Sequence, residues 1–582
     1  MDEMTIGYKS TPSDTTESLE VRLRRWTMPV AISLIVPLAL FFVVKPDWYY
    51  LQNGLDPFFY TAYVQNFSNA IHAAGTKHYF VSRWTIYMPQ RVLYELFGNP
   101  KAAFLLFRLI GASTIVVAIQ LLGQKLWRRW DAVALSIFVL LMPMTLRALF
   151  DDYSDSVAVP LGVLLIALVA IRPQSAAIAA CAGGIAAAMA IANPFGITIV
   201  ACLAPFWLAR VPRKRWLAIV ASGTAGGVLV LLFGLVFFRV RYGIANIYQP
   251  TLDYANESGT AIDLLKSPRL WWLGYRIWIY IPLLLLVAYH CLRRFASVPF
   301  NATERMIMNV CALQYAFQIW NQFSMHGDGL EISYYWAYML PALILAFCIV
   351  LGRLAQRAHR LLLPLLALLA PIAVRLGGSP TPELFSTWID AFIAVAAVFY
   401  LSRRFMASRP WFAPLATVAI VLGFQVGAPR PEPILANELR VQSAYELAYL
   451  GEESQGVDSF KAVTWFVQQM NTLPTPIVRS AAFWFNDPGG SRFAAMFLAH
   501  VSSHRINPDW PSTDATAPFP PGVVVATRQG GIPTWVIAGS QADVDAIAEQ
   551  AQNVEPKLRL VLSKVAPNAA RTAVKVLTTL PG

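Results

Sequence analysis

Long apolar runs alternate with short polar breaks from Thr27 to Gly427. A helix crossing roughly 30 Å of hydrocarbon needs about 20 apolar residues, and the runs read as about thirteen such helices. They fall near 27–45, 102–123, 132–150, 157–171, 175–192, 195–210, 217–238, 271–290, 305–323, 335–352, 361–376, 387–401 and 410–427. Asn193-Pro194 divides two of them, because proline disfavours helix in the residue before it. Past Gly427 the proline-rich stretch Ala428-Pro-Arg-Pro-Glu-Pro-Ile reads as an extended spacer. Beyond it the pattern is that of an ordinary domain. Ser459–Met470 and Gln541–Gln552 have helical period, while Pro476-Ile-Val-Arg and Gly522-Val-Val-Val-Ala-Thr read as strands. The expected fold is a polytopic α-helical membrane protein with a small C-terminal α/β domain. Residues 1–25 form a polar tail, 26–427 the transmembrane unit and 428–582 the C-terminal domain.

Composition agrees with that pattern. The 582 residues are 57% hydrophobic and 14% charged, whereas soluble domains run about 45–50% apolar and about 25% charged. A soluble multidomain enzyme is excluded on these figures. The net charge of +13 would suggest nucleic acid until it is mapped. Arg22, Arg24 and Arg25 precede the first span, and Lys125, Arg128 and Arg129 follow the second. Arg210 to Arg215, Arg293 and Arg294, Arg353 to Arg360, and Arg403 to Arg409 follow later even-numbered spans. With the N-terminus inside, every cluster lies on the cytoplasmic face, as the positive-inside rule requires. The charge therefore encodes orientation in an inner membrane, the expected partner is the lipid bilayer, and nucleic acid is not one. An odd number of spans puts the C-terminal domain on the periplasmic side. The first span is no secretory signal, being long and without a small-residue cleavage site. All five cysteines fall in apolar runs without metal-ligand spacing, so neither disulfides nor zinc are expected.

The first outer loop, 46–101, holds the most chemistry. It contains Asn53-Gly-Leu-Asp56-Pro-Phe-Phe-Tyr60, then Lys77-His78-Tyr79-Phe80-Val81-Ser82-Arg83, then Pro89-Gln-Arg91. Pro57 at the first helical position, with Asp56 as N-cap, would start a helix running to about Ala74. Phe58, Phe59, Tyr63 and Phe67 cover much of its surface, which suits a helix lying in the membrane interface. A second interfacial helix would begin at Pro89. Asp56 reads either as a helix cap or as a general base, and the two are compatible, because a cap fixes the carboxylate's position while leaving one oxygen free.

The second outer loop, Asp151-Asp152-Tyr153-Ser154-Asp155, is short and acidic. It is either a solvated turn or a site where carboxylates find water, a cation or hydrogen-bond partners at the membrane boundary. Asp152 and Asp155 share a face if the next helix starts early. A third outer loop supplies His326, Asp328, Glu331 and Tyr335, with His326 either structural or catalytic. After the seventh span come Arg239 and Arg241, then Tyr242, Tyr248, Tyr254, Lys266, Arg269, Trp271 and Trp272. Cations on an outer loop oppose the general bias and suggest a phosphate or anionic lipid, whereas the tryptophans mark the interface.

These loops resemble those of the GT-C glycosyltransferases. The resemblance rests on the acid soon after the first span in Asn53-Gly-Leu-Asp56-Pro-Phe-Phe-Tyr60, on Tyr79 with Ser82-Arg83 downstream, and on the acidic Asp151–Asp155 loop. Phe483-Trp-Phe-Asn-Asp487 and Asn507-Pro-Asp509 look like pieces of the periplasmic domain that many such enzymes carry. The Asp-Pro-aromatic form is similar to bacterial members that extend envelope polysaccharides or glycolipids. The resemblance implies transfer of a sugar from a polyprenyl-phosphate donor to a glycolipid or glycan acceptor, with inversion. Asp56 would be the general base, and Asp152, Asp155 and Asp151 would position the acceptor or serve as a second acid. Arg83, with Lys77, His78, Arg91, Arg239 and Arg241, would bind the donor phosphate, although each cation also suits headgroup anchoring. Tyr60, Tyr79, His326, Asp328, Glu331 and Tyr335 are further pocket candidates. The sequence departs from the Glu-x-Asp and Asp-Glu versions of the motif, so no divalent cation (Mg or Mn) and no other cofactor is assigned.

The alternatives are a lipid-linked-sugar flippase, another periplasmic lipid-modifying transferase and a non-catalytic scaffold with the same fold. Transporters place polar groups near the midplane and show matching halves, whereas here ionisable residues gather at the outer boundary. An acyl- or phosphoethanolamine transferase needs a dominant nucleophile, and none of the seven histidines sits in such a motif.

Overall fold

The computed structural model describes residues 19–44, 56–74, 79–141 except 128, 154–258, 281–324 except 296, and 337–357. Toward the C-terminus it describes 523–526, 534–539, 541–554, 556–565 and 573–578, with isolated positions in 145–149 and 465–472. The spans expected at 361–376, 387–401 and 410–427, the boundary at 428 and the strand at Pro476 lie outside the described residues.

The part whose apolar runs were read as spans is helical. In chain order it comprises α1 (Leu19–Val44), α2 (Asp56–Ala74), α3 (Trp84–Phe97), α4 (Pro100–Leu126) and α5 (Arg129–Leu141). These are followed by α6 (Asp155–Ile171), α7 (Ala176–Ala192), α8 (Ile197–Leu208), α9 (Trp216–Tyr242) and α10 (Gln249–Ser258). The last are α11 (Ile281–Arg294), α12 (Ala302–Ser324) and α13 (Leu340–Arg357). Apart from α2, α3 and α10, each overlaps a span predicted from the apolar runs. The break at Asn193-Pro194 is present: α7 ends at Ala192, a 3-10 turn covers Pro194–Gly196, and α8 follows. Asn193 Oδ1 accepts from Phe195 N at 3.0 Å, which caps that turn.

Pro100–Gly123 and Arg213–Tyr242 are long and apolar enough to cross a bilayer. They solve the solvation problem differently. The face of α4 carrying Ile115, Ile119 and Leu122 is buried against α5 and α6. On α9, Leu229, Phe233, Val236 and Val240 are exposed, a cost in water that vanishes in hydrocarbon. The other face of α9 meets α7 through small residues. A Cβ added at Gly183 would collide with the carbonyl of Gly223, and one at Gly226 with that of Ala180. Two helix backbones thus approach as glycine alone permits, gaining dispersion where lipid removes the hydrophobic drive. The centre is α13, whose residues from Leu340 to Leu351 are all buried.

The expected inner ends of the helices carry the charge. Asn301 and Glu304 form a reciprocal capping box at the start of α12, with bonds of 2.8 and 2.9 Å. Glu304, fully buried, also takes a two-point ion pair from Arg353 at 2.7 and 2.8 Å. Lys125 donates to the Ile171 carbonyl at the end of α6 (2.8 Å), and Arg210 to Thr303 (3.1 Å). Burial, and then Arg210 and Arg172, hold the Lys125 ammonium below its usual range.

Near the C-terminus β1 (Val523–Ala526), β2 (Thr534–Gly539), β3 (Arg559–Val565) and β4 (Ala573–Thr578) form an antiparallel sheet in the order β1-β2-β4-β3. Helix α14 (Gln541–Val554) packs on it with Val544 and Ala548 buried, and Asp545 pairs with Lys575 at 2.5 Å. The strand at Val523 and this helix match the sequence patterns. The other strands were not singled out.

Candidate active site

The described residues of the stretch 46–101 form α2 and α3 with a 3-10 turn between them. The backbone of α2 begins at Asp56, so this residue opens the helix expected from Pro57, and the helix ends at Ala74 as the pattern suggests. Helix ends shift by a residue between conventions. Two of the aromatics expected to cover the surface of α2 pack on protein instead. Tyr63 and Phe67 are fully buried, with Tyr63 5.1 Å from Tyr87 and Phe67 5.7 Å from Tyr87 between ring centroids. Phe67 also meets Tyr242 at 4.3 Å and Phe238 at 5.6 Å. The aromatics gain more by stacking on α3 and on the end of α9 than by facing headgroups. Burial pushes the Tyr63 and Tyr87 phenols far up, so both stay protonated.

The second helix also differs from expectation. It starts at Trp84, not Pro89, and Pro89 sits inside α3. One i→i−4 bond is lost there, while Trp84, Ile86, Tyr87 and Met88 are buried around it. Residues 79–82 make a 3-10 turn that delivers Arg83 to the start of α3. Ser82 Oγ donates to the Tyr79 carbonyl at 2.9 Å, and the Tyr87 hydroxyl to the Val81 carbonyl at 2.7 Å. Helix α10 fastens the turn from outside: Thr251 Oγ1 donates to Ser82 Oγ at 2.8 Å. Beside it, Trp84 Nε1 donates to the Tyr248 hydroxyl at 3.4 Å, which donates onward to the Leu231 carbonyl of α9 at 3.0 Å.

Arg83 is thereby fixed. Its Nη1 donates to the hydroxyl of Tyr60 at 3.2 Å, and its guanidinium carbon stands 4.8 Å from the Tyr79 ring and 5.9 Å from that of Phe80. Tyr60 is fully buried and lies one helical turn after Asp56. Positions separated by four residues share a helix face, so the α2 backbone puts position 56 on the face that meets Arg83. The structure thus brings together Tyr60, Tyr79 and Arg83, with Asp56 one helical turn before Tyr60 on α2.

Other candidates are placed elsewhere. Arg91 donates to the carbonyls of Tyr63 (3.3 Å) and Val64 (3.2 Å) and pairs with Glu95 at 2.7 Å. Asn66 leaves helical geometry and kinks α2, which frees carbonyls in the preceding turn, and Arg91 satisfies two of them. In the structure it is a latch between α2 and α3. Arg239 and Arg241 are exposed in the last turn of α9, where a cation complements the helix dipole. Lys77, His78, Asp151, Asp152, His326, Asp328, Glu331 and Tyr335 lie outside the described residues.

Asp155 is not in a solvated turn. It occupies the first turn of α6 and is 1% exposed. Its neighbour Ser154 accepts from the Tyr338 hydroxyl at 2.8 Å and from Asn193 Nδ2 at 3.5 Å, joining α6, the turn before α13 and the α7–α8 corner. Sequence reasoning missed Arg108, fully enclosed in α4, whose Nη1 donates to the Leu149 carbonyl just ahead of the acidic loop. A lone arginine inside a predicted span was the available signal. Among the described residues no group of three or more His, Cys, Asp or Glu side chains converges.

No protein-family model and no curated protein sequence matches the chain. Among solved structures it is similar to ArnT from Cupriavidus metallidurans bound to undecaprenyl phosphate. The TM-score is 0.54 at 14% identity, over 94% of this chain and 97% of that one. The same protein in the apo state gives 0.48 at 14% identity over the same shares. The Archaeoglobus fulgidus oligosaccharyltransferase, tethered with an acceptor peptide, gives 0.39 at 12% identity over 84% and 65%. The chain shares the fold of ArnT over nearly the whole length of both proteins.

Proposed function

We propose that the protein is an inverting membrane glycosyltransferase that moves a sugar from a polyprenyl-phosphate donor to an envelope glycolipid or polysaccharide. It would act at the outer face of the cytoplasmic membrane, with the N-terminus inside and the C-terminal domain in the periplasm. The observation that carries this reading is the Arg83–Tyr60 pair, one helical turn from Asp56, in a fold shared with an undecaprenyl-phosphate-bound protein.

The chemistry follows from the groups. An acceptor hydroxyl is a poor nucleophile, and a carboxylate that takes its proton in the transition state contributes roughly 10²–10⁴-fold. Asp56 has that role. As the anomeric C–O bond to phosphate breaks, charge grows on the departing lipid phosphate, and a fixed guanidinium at a dry interface stabilises it. Arg83 has that role, oriented by Tyr60 and the Tyr79 ring. Arg239 and Arg241 would draw the anionic headgroup toward the loop. Asp155, with Asp151 and Asp152, would hold the acceptor hydroxyls.

The test is transfer from radiolabelled polyprenyl-phosphate sugars by membranes containing wild type or Asp56→Asn at equal folded amount. Loss of transfer by the variant is expected. Undiminished transfer would sink the assignment of the base, and uptake of the lipid-linked sugar without product would replace the enzyme with a transporter.

A further inference from the structure

Helix α12 carries an amide stripe. Gln314, Gln318, Asn321 and Gln322 follow one another at spacings of four, three and one along the helix, so they share a face. All are buried, at 2%, 1%, 9% and 7% exposure. Amides inside an apolar bundle carry a desolvation cost unless they are bonded. Gln314 Nε2 donates to the Tyr338 carbonyl at 3.2 Å. Gln314 Oε1, Gln318 Oε1 and Asn321 Nδ2 have no hydrogen-bond partner among the described residues. Amides that merely glued helices together would be paired across the helix–helix contact.

The stripe lies at the functional end of the bundle. At the other end of α12, Thr303 reaches the Ala170 carbonyl at the close of α6 (3.4 Å). Asp155 opens α6, so Gln314 to Gln322 occupy the half of α12 that runs toward the acidic loop. Two hydrogen bonds link the stripe to that loop. Gln314 bonds the Tyr338 backbone, the Tyr338 hydroxyl bonds Ser154, and the next residue is the buried Asp155.

We propose that Gln314, Gln318 and Asn321 form a subsite for a sugar ring, which Tyr338 and Ser154 tie to Asp155. Each amide head carries donors and acceptors together, the same dual character that ring hydroxyls present. The stripe has no cation, so it selects a neutral hydroxyl-bearing ring and not a phosphate. The inference rests on the glycosyltransferase reading and deepens it by naming the residues that recognise the sugar.

The test uses the full chain in lipid nanodiscs, with Gln318→Met, which keeps the volume, and Asn321→Leu. The probes are sugar-free undecaprenyl phosphate, undecaprenyl phosphate bearing glucose, mannose or arabinose, and soluble glucan, mannan and arabinan fragments. Removing an amide is expected to weaken binding of a sugar-bearing probe about tenfold. Affinity for sugar-free undecaprenyl phosphate and the Tm should stay at wild-type values. A loss confined to the lipid probes assigns the subsite to the donor sugar, and one confined to the soluble fragments assigns it to the acceptor. Variants that bind every probe as wild type does would overturn the subsite and leave the proposed function standing. A parallel fall in Tm and in sugar-free lipid affinity would also overturn it, by making the amides helix glue. Wild type that binds none of the probes would overturn both readings.

Discussion

Arginine is used in two ways at the two ends of this helical bundle. Arg353 meets the buried carboxylate of Glu304 at 2.7 Å, so its charge is cancelled and the pair holds α12 to α13. Arg83 donates to the Tyr60 phenol and stands over the Tyr79 ring, contacts that orient the guanidinium ahead of α3. The first arrangement is architecture, whereas the second fixes where a guanidinium stands. Arg91 sits close to Arg83 in sequence yet belongs to the first kind, since two carbonyls and Glu95 hold it.

The contrast can be broken at several points. Glu304→Leu leaves Arg353 enclosed without its carboxylate, and losing one member of a buried pair costs about 3–5 kcal/mol. Thermal unfolding in nanodiscs should show that loss, while transfer per folded molecule stays at the wild-type level. Arg83→Gln should behave in the opposite sense. It is expected to lower transfer about 10²-fold, on the scale of one lost transition-state donor, with little change in Tm. If Arg83→Gln instead unfolds the protein and keeps its specific activity, the two arginines are of one kind. The smallest effect is expected at the outer clamp. Thr251→Val removes the bond to Ser82 and should cost about 1 kcal/mol, read as a few-fold rise in the KM for the lipid donor with kcat nearly unchanged.

Much of the bundle was legible in the sequence because spanning helices follow from unbroken apolar length. The break at Asn193-Pro194 was legible from backbone sterics alone. The packing of α2 was not. A helix covered in Phe and Tyr looks the same whether its partner is a headgroup layer or another aromatic face, and only the fold brings Tyr87, Phe238 and Tyr242 to it. The start of α3 was missed because Pro89 is a strong local signal, and the buried side chains around Trp84 outweigh it. Within the site, Arg83 and Tyr60 were both named from the loop sequence, but their contact joins residues on separate elements. Arg108 and the α12 amides escaped notice because polar residues scattered through apolar runs acquire meaning only when a neighbouring helix reveals which face they occupy.

The central claim is that Asp56 removes a proton from the acceptor while Arg83 receives the lipid phosphate. Single-turnover transfer from a radiolabelled polyprenyl-phosphate sugar, with donor saturating, tests it most directly by comparing wild type with Asp56→Asn. The account predicts that the variant binds the donor as wild type does and that its chemical step slows by about 10²–10⁴-fold. A variant that binds the donor and transfers the sugar at the wild-type rate would contradict it.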